Sequence, residues 1–251
     1  MVMTDRQQSA PLIHCVTSPV TMKLVADGIV SVGGRPLMSM EPAEFEEVYR
    51  IAQACYLNLG MTTVERFAVM QEAQHAALQA GVPIVLDAVG TALSEIRKTR
   101  ADMILAAGVS ALHGNVSEVA ALLGLPAEGR GVDAGQVAYH PSEIAQRACE
   151  AFGCMTVVSG AVDAVATQAA TVVVEGGSSR LGNAVGMGCL LSGLIAVALT
   201  YENRQEHVVT MCGRLKRAGE VAQQKDVGEG YFAAEVVSVL GRWHQTECEC
   251  K

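Results

Sequence analysis

The residues best suited to chemistry form a short glycine turn, Gly186-Met187-Gly188-Cys189, at the start of the apolar run Cys189–Leu199. Two glycines separated by one residue let the backbone turn so that successive amides point at a common centre. A helix that begins there adds the positive end of its dipole, so the turn suits an anion such as a phosphate. The turn lacks the Lys of a Walker A loop and the third glycine of the dinucleotide fingerprint. An ordinary tight turn before a buried helix therefore stays open as the alternative.

Cys189 lies in the first turn of this predicted helix. The dipole at a helix N-terminus lowers the pKa of a thiol, so we expect a partly ionised thiolate near neutral pH. The alternative is a small buried residue that fills space, which is the commoner role of a free cysteine.

Two acidic residues could serve a metal-bound phosphate. Asp87 ends the aliphatic stretch Ile84–Asp87, and Glu118 follows the turn His113-Gly114-Asn115 where a helix is predicted to begin. Asn115 and Glu118 also have nearly the spacing of a capping box, which alone would explain that pair. If Asp87 and Glu118 lie at neighbouring strand ends, they would hold Mg²⁺ through its water molecules.

Short aliphatic stretches alternate with longer helical patterns, which indicates βαβ units and a mostly parallel sheet. The predicted strands are Leu12–Val16, Arg35–Met38, Cys55–Leu59, Ile84–Asp87, Met103–Ala106, Met155–Ser159 and Thr171–Val174. The predicted helices are Thr21–Ser31, Pro42–Gln53, Thr63–Ala80, Val116–Leu123 and Ser142–Phe152, followed by Cys189–Tyr201, Glu206–Gln224 and Tyr231–Trp243. Ligands of open α/β sheets bind beyond the carboxyl ends of the strands. The polar residues expected at those ends are Thr17, Ser18, Ser39, Asn58, Asp87, His113, Asn115 and Ser159.

The composition favours a folded protein with a large core and excludes several classes of partner. Of the 251 residues, 50% are hydrophobic and 18% charged, and the net charge of -8 with no basic stripe argues against nucleic acid as a partner. The longest apolar run is too short to span a membrane.

We expect a cytoplasmic protein with one α/β domain over residues 1–251, helical from about residue 189, with a flexible tail over 244–251. In that tail, His244, Cys248 and Cys250 could instead bind a metal ion.

Several short segments, in their order and spacing, resemble the hydroxyethylthiazole kinase family, the thiamin-salvage enzymes of the ribokinase-like superfamily. The resemblance runs from about Ile13 to Leu240. The segments are Ile13–Met22, Pro36–Met38, Leu57–Gly60, Pro83–Gly90, Gly114–Glu118, Gly131–Asp133, Val157–Gly160 and Gly186–Cys189. The resemblance implies a three-layer αβα fold with a mostly parallel central sheet and helices on both faces. It also implies ATP-dependent phosphorylation of the primary hydroxyl of 4-methyl-5-(2-hydroxyethyl)thiazole.

The same resemblance implies roles for individual residues. Gly186, Met187 and Gly188 would form the anion hole, and Cys189 would stand beside the substrate hydroxyl, where related sugar kinases have an Asp base. Met38 and Gly186 would contact the thiazole, and Val20 would lie in the loop that lines the thiazole pocket. His113 and Ser159 would contact ATP. Asp87 and Glu118 would associate with Mg²⁺. The family implies a homotrimer with substrate sites between the subunits.

Some site positions differ from the family pattern. His113 replaces an Arg, Ser159 a Thr, and Val185 and Met187 the two Thr of the glycine turn. The turn keeps its backbone amides, but a guanidinium fork and two hydroxyls are lost. Three functions therefore stay open: the thiazole kinase, a kinase of another small primary alcohol, and a homologue that binds a ligand without catalysis. The retained acids and glycines favour catalysis, and the losses favour divergence.

Overall fold

A computed structural model describes residues 10–126, 139–202, 204–225 and 227–249. Within these ranges one sheet has the strand order β2-β1-β3-β4-β5-β6-β7-β8. Its strands are β1 (Leu12–Val16), β2 (Arg35–Leu37), β3 (Ala54–Asn58), β4 (Ile84–Asp87), β5 (Ala111–Asn115), β6 (Met155–Ser159), β7 (Asp163–Ala166) and β8 (Thr171–Val174). Neighbouring strands from β2 to β6 pair in parallel, whereas β7 is antiparallel to both β6 and β8.

Helices cover both faces of this sheet. They are α1 (Met22–Ser31), α2 (Phe45–Ile51), α3 (Val64–Gln79), α4 (Glu95–Ala107), α5 (Val116–Leu122), α6 (Pro141–Phe152), α7 (Arg180–Asn183), α8 (Met187–Ala198), α9 (Arg204–Ala222) and α10 (Glu229–Glu249), with a 3₁₀ turn at Pro42–Glu44 before α2. The buried core on one face includes residues of α1, α8, α9 and α10, and the core on the other face includes residues of α2 to α6. This three-layer αβα arrangement confirms the predicted fold class.

The alternation of side chains along the strands decides which polar residues face α8. In β3, Tyr56 belongs to the core on the α8 side, and the next residue, Leu57, belongs to the opposite core. Successive strand residues point to opposite faces of a sheet. The same parity in the neighbouring strands places one polar group per strand end on the α8 side: Asn58, Asp87, His113 and Ser159.

One predicted strand is wrong. Met103–Ala106 lies inside helix α4, where Ala101, Ile104 and Leu105 are buried while Met103 is exposed. An apolar run this short fits either a strand or one face of a helix. Here the rest of α4 decides, because the run continues a helix that begins at Glu95.

Two strands were not predicted at all. β5 contains His113, Gly114 and Asn115, which the sequence indicated as a turn, and β7 begins at the buried Asp163. Both strands carry polar or small residues where an aliphatic run is expected. β5 is nevertheless held in place by parallel pairing with β4 on one side and β6 on the other.

In the described residues the C-terminal region consists of the helices α8, α9 and α10. α10 extends to Glu249, so residues 244–249, predicted to be a loose tail, are helical. The side chains of Cys248 and Cys250 lie outside the described part of the chain, and a metal site there stays a prediction. No helix in the described ranges has the length and apolar character needed to cross a membrane.

Candidate active site

The glycine turn begins α8 as the sequence predicts. Gly186 is the N-cap residue, with φ of 91° in the left-handed region. A Cβ on Gly186 would lie 2.8 Å from Cγ2 of Thr21 and 2.9 Å from Cδ2 of Leu24. Only glycine meets both the backbone conformation and this close approach. The turn therefore packs the N-terminus of α8 against the start of α1, and the first amides of α8 have no partner within the helix, which suits an anion.

A cavity of about 670 Å³ opens over this turn. It is lined by most of the predicted site residues: Asp87, His113, Glu118, Ser159, Gly186, Met187, Gly188 and Cys189. Val20 and Met38 are not among the residues that line it; they follow the carboxyl ends of β1 and β2 on the same edge of the sheet. The side chain of Val185 is 74% exposed and lies outside the lining.

Asp87 is the buried acid at the centre of the site. Its Oδ2 accepts hydrogen bonds from the hydroxyl of Tyr56 at 2.9 Å and from Nδ2 of Asn58 at 2.7 Å. Burial, followed by the nearby charge of Glu118, raises the pKa of Asp87 to about 7. The hydrogen bonds favour the carboxylate but do not offset the cost of burying it.

The thiol of Cys189 is protonated, which corrects the prediction of a partial thiolate. Nδ2 of Asn58 lies 3.2 Å from its Sγ, within hydrogen-bonding distance. Burial and then the charge of Asp87 raise the pKa of Cys189 to about 12. The helix dipole is real, but burial outweighs it because an ion loses far more solvation than one helix end returns.

His113 is held between two serines. Its Nδ1 lies 2.7 Å from the hydroxyl of Ser192 on α8, and its Nε2 lies 3.0 Å from the hydroxyl of Ser159 at the end of β6. Burial lowers the pKa of His113 to about 4, so the imidazole is neutral at physiological pH. His113 can therefore offer or accept a hydrogen bond, but it does not supply the positive charge of an arginine.

Glu118 completes the capping box with Asn115 that its spacing suggested. Its Oε2 accepts from the amide of Asn115 at 2.9 Å, and its Oε1 accepts from the amide of Gly90 at 2.8 Å. Burial raises the pKa of Glu118, and these two hydrogen bonds oppose that shift. The capping role and a place in the cavity are thus compatible, since the same carboxylate joins α5 to the loop after β4.

Two buried hydroxyls in the segment between β1 and α1 make no hydrogen bond of ordinary geometry within the described residues. They belong to Thr17, at the end of β1, and to Thr21, which packs against Gly186. Unpaired buried polar groups are rare in folded proteins, and bound water or a ligand commonly satisfies them.

The sequence pattern missed several residues that complete the site. Tyr56 and Ser192 bond directly to Asp87 and His113, and Lys216 lines the far end of the cavity. Ser192 had a signal, because it stands three residues after Cys189 and so on the same helical face. Lys216 had one too, as a single charge among the buried Cys212, Leu215 and Gly219 of α9. The segment Gly131–Asp133 of the resemblance lies outside the described residues.

Comparison with known proteins gives the same family as the motifs. The sequence profile of the Hydroxyethylthiazole kinase family matches residues 3–245. A hydroxyethylthiazole kinase from Cronobacter sakazakii is 36% identical over 240 residues, which are 95% of this chain and 91% of that protein. One from Exiguobacterium is 34% identical over 241 residues, 95% of this chain and 92% of that protein.

Solved structures agree on the fold. The hydroxyethylthiazole kinase of Pyrococcus horikoshii superposes with a TM-score of 0.84 at 28% identity, covering 94% of this chain and 89% of that one. A ribokinase-like superfamily protein from Enterococcus faecalis has a TM-score of 0.70 at 11% identity, covering 98% and 91%. At this low identity the second match informs only on the fold, which is ribokinase-like.

Proposed function

We propose that this chain, which belongs to the hydroxyethylthiazole kinase family, transfers a phosphoryl group from ATP at the α8 turn, with Mg²⁺ as the cofactor. The family membership makes the protein a thiamin-salvage kinase that phosphorylates the hydroxyl of 4-methyl-5-(2-hydroxyethyl)thiazole. We infer the phosphoryl donor, the metal ion, the residue roles and the oligomeric state from the site.

One observation carries the proposal: the residues assigned to phosphate, nucleotide and metal line one cavity although they come from five separate elements. Phosphoryl transfer asks the protein mainly for positioning and for donors aimed at the transferring oxygens. The amides of the α8 N-terminus meet that need without side chains. The exchange of the usual threonines for Val185 and Met187 therefore leaves these backbone amides in place.

Asp87 and Glu118 fit a magnesium ion that binds with the nucleotide. They are two acids close enough for the charge of Glu118 to raise the pKa of Asp87, and a cation would relieve that repulsion. Both oxygens of Glu118 and Oδ2 of Asp87 already accept hydrogen bonds from the protein. We therefore assign them to the water shell of the ion. When bound, Mg²⁺ would supply charge neutralisation for the phosphates.

Cys189 orients the substrate hydroxyl and does not deprotonate it. A thiol with a pKa of about 12 remains protonated at physiological pH, so it is a poor general base. A loose transition state needs little activation of the attacking alcohol. The methyl carbon of Thr21 lies against Gly186, so this side chain helps to hold the turn at which the alcohol binds.

His113 and Ser159 serve the nucleotide phosphates as neutral groups, and because both nitrogens of His113 already contact serines, the imidazole acts through Ser159 or exchanges that contact for one to a phosphate. Nε2 of His113 lies 3.0 Å from the hydroxyl of Ser159, and Nδ1 lies 2.7 Å from the hydroxyl of Ser192. These two contacts fix the imidazole before ATP binds. A neutral imidazole binds a phosphate more weakly than an arginine fork does. We expect a higher KM for ATP than in relatives that have the arginine.

The active form is a homotrimer, with Met38, Val20 and Gly186 contacting the thiazole at subunit interfaces. Large apolar side chains are exposed around the carboxyl edge of the sheet, among them Val20, Val64, Leu93, Ile96 and Val185. Leu93, in the loop after β4, is 85% exposed. Such exposed apolar groups favour burial against another subunit. Light scattering of the purified protein tests the trimer, and a monomer with full activity would contradict it.

The subcellular place is the cytoplasm. The described cysteines Cys15, Cys55, Cys149, Cys154, Cys189 and Cys212 are free thiols, which suit a reducing compartment. Fractionation of the host cell tests this.

A coupled assay of ADP release with the thiazole alcohol, ATP and Mg²⁺ tests the function. We expect turnover that requires all three, and its loss in Glu118→Gln and Asp87→Asn. Arg217→Met, an exposed position on α9 outside this cavity, serves as the control. Turnover of other small alcohols in preference to the thiazole would contradict the substrate, and the absence of nucleotide binding at millimolar ATP would contradict the donor.

A further inference from the structure

A buried lysine at the far end of the cavity has no part in the proposed chemistry. Lys216 lies on α9, is 4% exposed and lines the same cavity as His113 and Ser159. A lysine is almost never buried unless its ammonium group is paired. The groups around the ammonium therefore define what it does.

The ammonium of Lys216 ties two loops together. Its Nζ donates to the carbonyl oxygens of Gly160 at 3.1 Å and Ala161 at 3.0 Å, both in the loop after β6. It also donates to the carbonyl oxygen of Gly176 at 3.3 Å, in the loop after β8. The carboxylate of Asp163 lies 3.2 Å away and balances the charge. An ammonium has three N–H donors, and four acceptors surround this one, so it has no donor left for a phosphate.

The loop after β6 is held on both sides at Gly160. The amide of Gly160 donates to Oδ1 of Asp163 at 3.0 Å, and its carbonyl oxygen accepts from Lys216. Gly160 directly follows Ser159, whose hydroxyl contacts His113. The position of Ser159 therefore depends on the pair formed by Lys216 and Asp163.

The loop after β8 passes against α9 at two consecutive glycines. Gly176 and Gly177 have φ of 92° and 100°, and a Cβ on Gly177 would lie 3.2 Å from Cγ of Lys216. Oε1 of Glu220, one helical turn after Lys216, accepts a hydrogen bond from the amide of Gly177 at 2.6 Å. One face of α9 thus offers a cation to carbonyl groups and an anion to an amide, and both fix the same end of the cavity.

We propose that Lys216 is a positioning residue for the nucleotide: it holds the two loops that form the ATP end of the cavity and takes no part in phosphoryl transfer. The inference rests on the proposed function, which places ATP beside His113 and Ser159. The substrate alcohol is assigned to the α8 turn, which none of the polar contacts of the Lys216 ammonium reaches, so the alcohol should bind independently of that ammonium.

The test is the variant Lys216→Met, which keeps the aliphatic chain and removes the ammonium. We expect the KM for ATP to rise about tenfold or more, with kcat and the KM for the alcohol changed by no more than about threefold. Hydrogen exchange of the backbone at residues 160–161 and 176–177 should become faster. Arg217→Met, the next position on α9, is exposed, lies outside the cavity and should change none of these values.

A double variant separates positioning from simple charge balance. Lys216→Met leaves Asp163 buried without its counter-charge, which could lower stability by itself. Lys216→Met with Asp163→Asn removes that charge, and we expect thermal stability to recover while the KM for ATP stays high. A KM restored to the wild-type value in the double variant, or unchanged in Lys216→Met, would overturn the inference.

Calorimetry with ADP distinguishes this failure from a failure of the proposed function. If the wild-type protein binds no ADP at millimolar concentration, the nucleotide assignment fails and the inference fails with it. If the wild type binds ADP and Lys216→Met binds it equally well, only the inference fails. Weaker ADP binding by Lys216→Met and by the double variant supports it.

Discussion

The carboxylate of Asp87 lies 3.7 Å from Nδ1 of His113, yet the two groups do not form an ion pair. Burial lowers the pKa of His113 to about 4, and burial together with the charge of Glu118 raises the pKa of Asp87 to about 7. Between these values both side chains are neutral. Above them a carboxylate lies beside a neutral imidazole, so its negative charge has no counter-charge from His113.

The free energy of unfolding should reveal these two shifts as opposing effects of pH. The pKa of Asp87 is raised from 3.8, so its stabilising contribution is complete below that value and is lost as the pH rises to about 7. The pKa of His113 is lowered from 6.5, so its contribution is complete above that value and is lost as the pH falls toward 4. In wild-type protein the two largely cancel between about pH 4 and 6.5.

Substitution should separate the two contributions. In His113→Gln we expect the free energy of unfolding to fall as the pH rises over this window, by up to about 1.4 kcal/mol per pH unit. In Asp87→Asn it should rise instead. Urea denaturation of the metal-free protein in EDTA at several pH values measures both slopes, and equal slopes in wild type and the two variants would contradict the shifts.

Tyr56→Phe should move the acid limb of the pH profile of kcat/KM to higher pH. The phenol donates to Oδ2 of Asp87 at 2.9 Å and so favours the carboxylate. Without this hydrogen bond the pKa of Asp87 rises above about 7, and the acid limb of kcat/KM moves to higher pH by roughly 0.5 to 1 pH unit. Tyr49→Phe is the matched control, because the hydroxyl of Tyr49 bonds to His14 and Cys55, outside the cavity. An unmoved limb in Tyr56→Phe would show that Asp87 does not govern it.

Cys189→Ala should leave substantial activity. A protonated thiol that only orients the alcohol contributes about tenfold or less to kcat, whereas loss of a general base costs roughly 10²- to 10⁴-fold. Cys189→Ser should be closer to wild type because it keeps a donor. Steady-state kinetics measure both variants. A thousandfold fall in kcat for correctly folded Cys189→Ala would reinstate Cys189 as the base.

Gly186→Ala should destabilise the protein and abolish activity together. The left-handed φ of 91° and the contacts of 2.8 Å to Thr21 and 2.9 Å to Leu24 leave no room for a methyl group. We expect a loss of roughly 1–3 kcal/mol in the free energy of unfolding, measured by urea denaturation. Gly230→Ala, at the start of α10, meets no atom within 4 Å and should be neutral or stabilising. Equal behaviour of the two variants would contradict the tight fit at the turn.

The residues that line the candidate site could be grouped from the sequence because the periodicity of the strands fixes where each strand ends. Strand ends in a parallel sheet share one edge, so the polar residues Asn58, Asp87, His113 and Ser159 could be grouped before their contacts were known. The glycine turn was equally visible, since two glycines separated by one residue before an apolar run can be recognised in the sequence itself. Even the unpredicted strand β5 left His113 in this group.

The chemical state of the site could not be predicted in the same way. The pKa of Cys189 depends on burial and on Asp87, which is 102 residues earlier in the chain (189 minus 87). Local sequence shows only the helix dipole, the weaker influence. The role of Lys216 was hidden for the same reason, because its carbonyl partners belong to loops 40 to 56 residues away. Each of these properties is set by side chains that meet only through tertiary packing.

The bond between Asn58 and Cys189, which are 131 residues apart, bears on how the enzyme is made. At roughly 5 to 20 residues per second, a ribosome completes β1 to β6 several seconds before α8 leaves the exit tunnel. One face of the sheet is covered largely by α8, α9 and α10, so the acids at the strand ends are made well before the helices that bury them. The candidate site can therefore be completed only after the C-terminal helices have been synthesised.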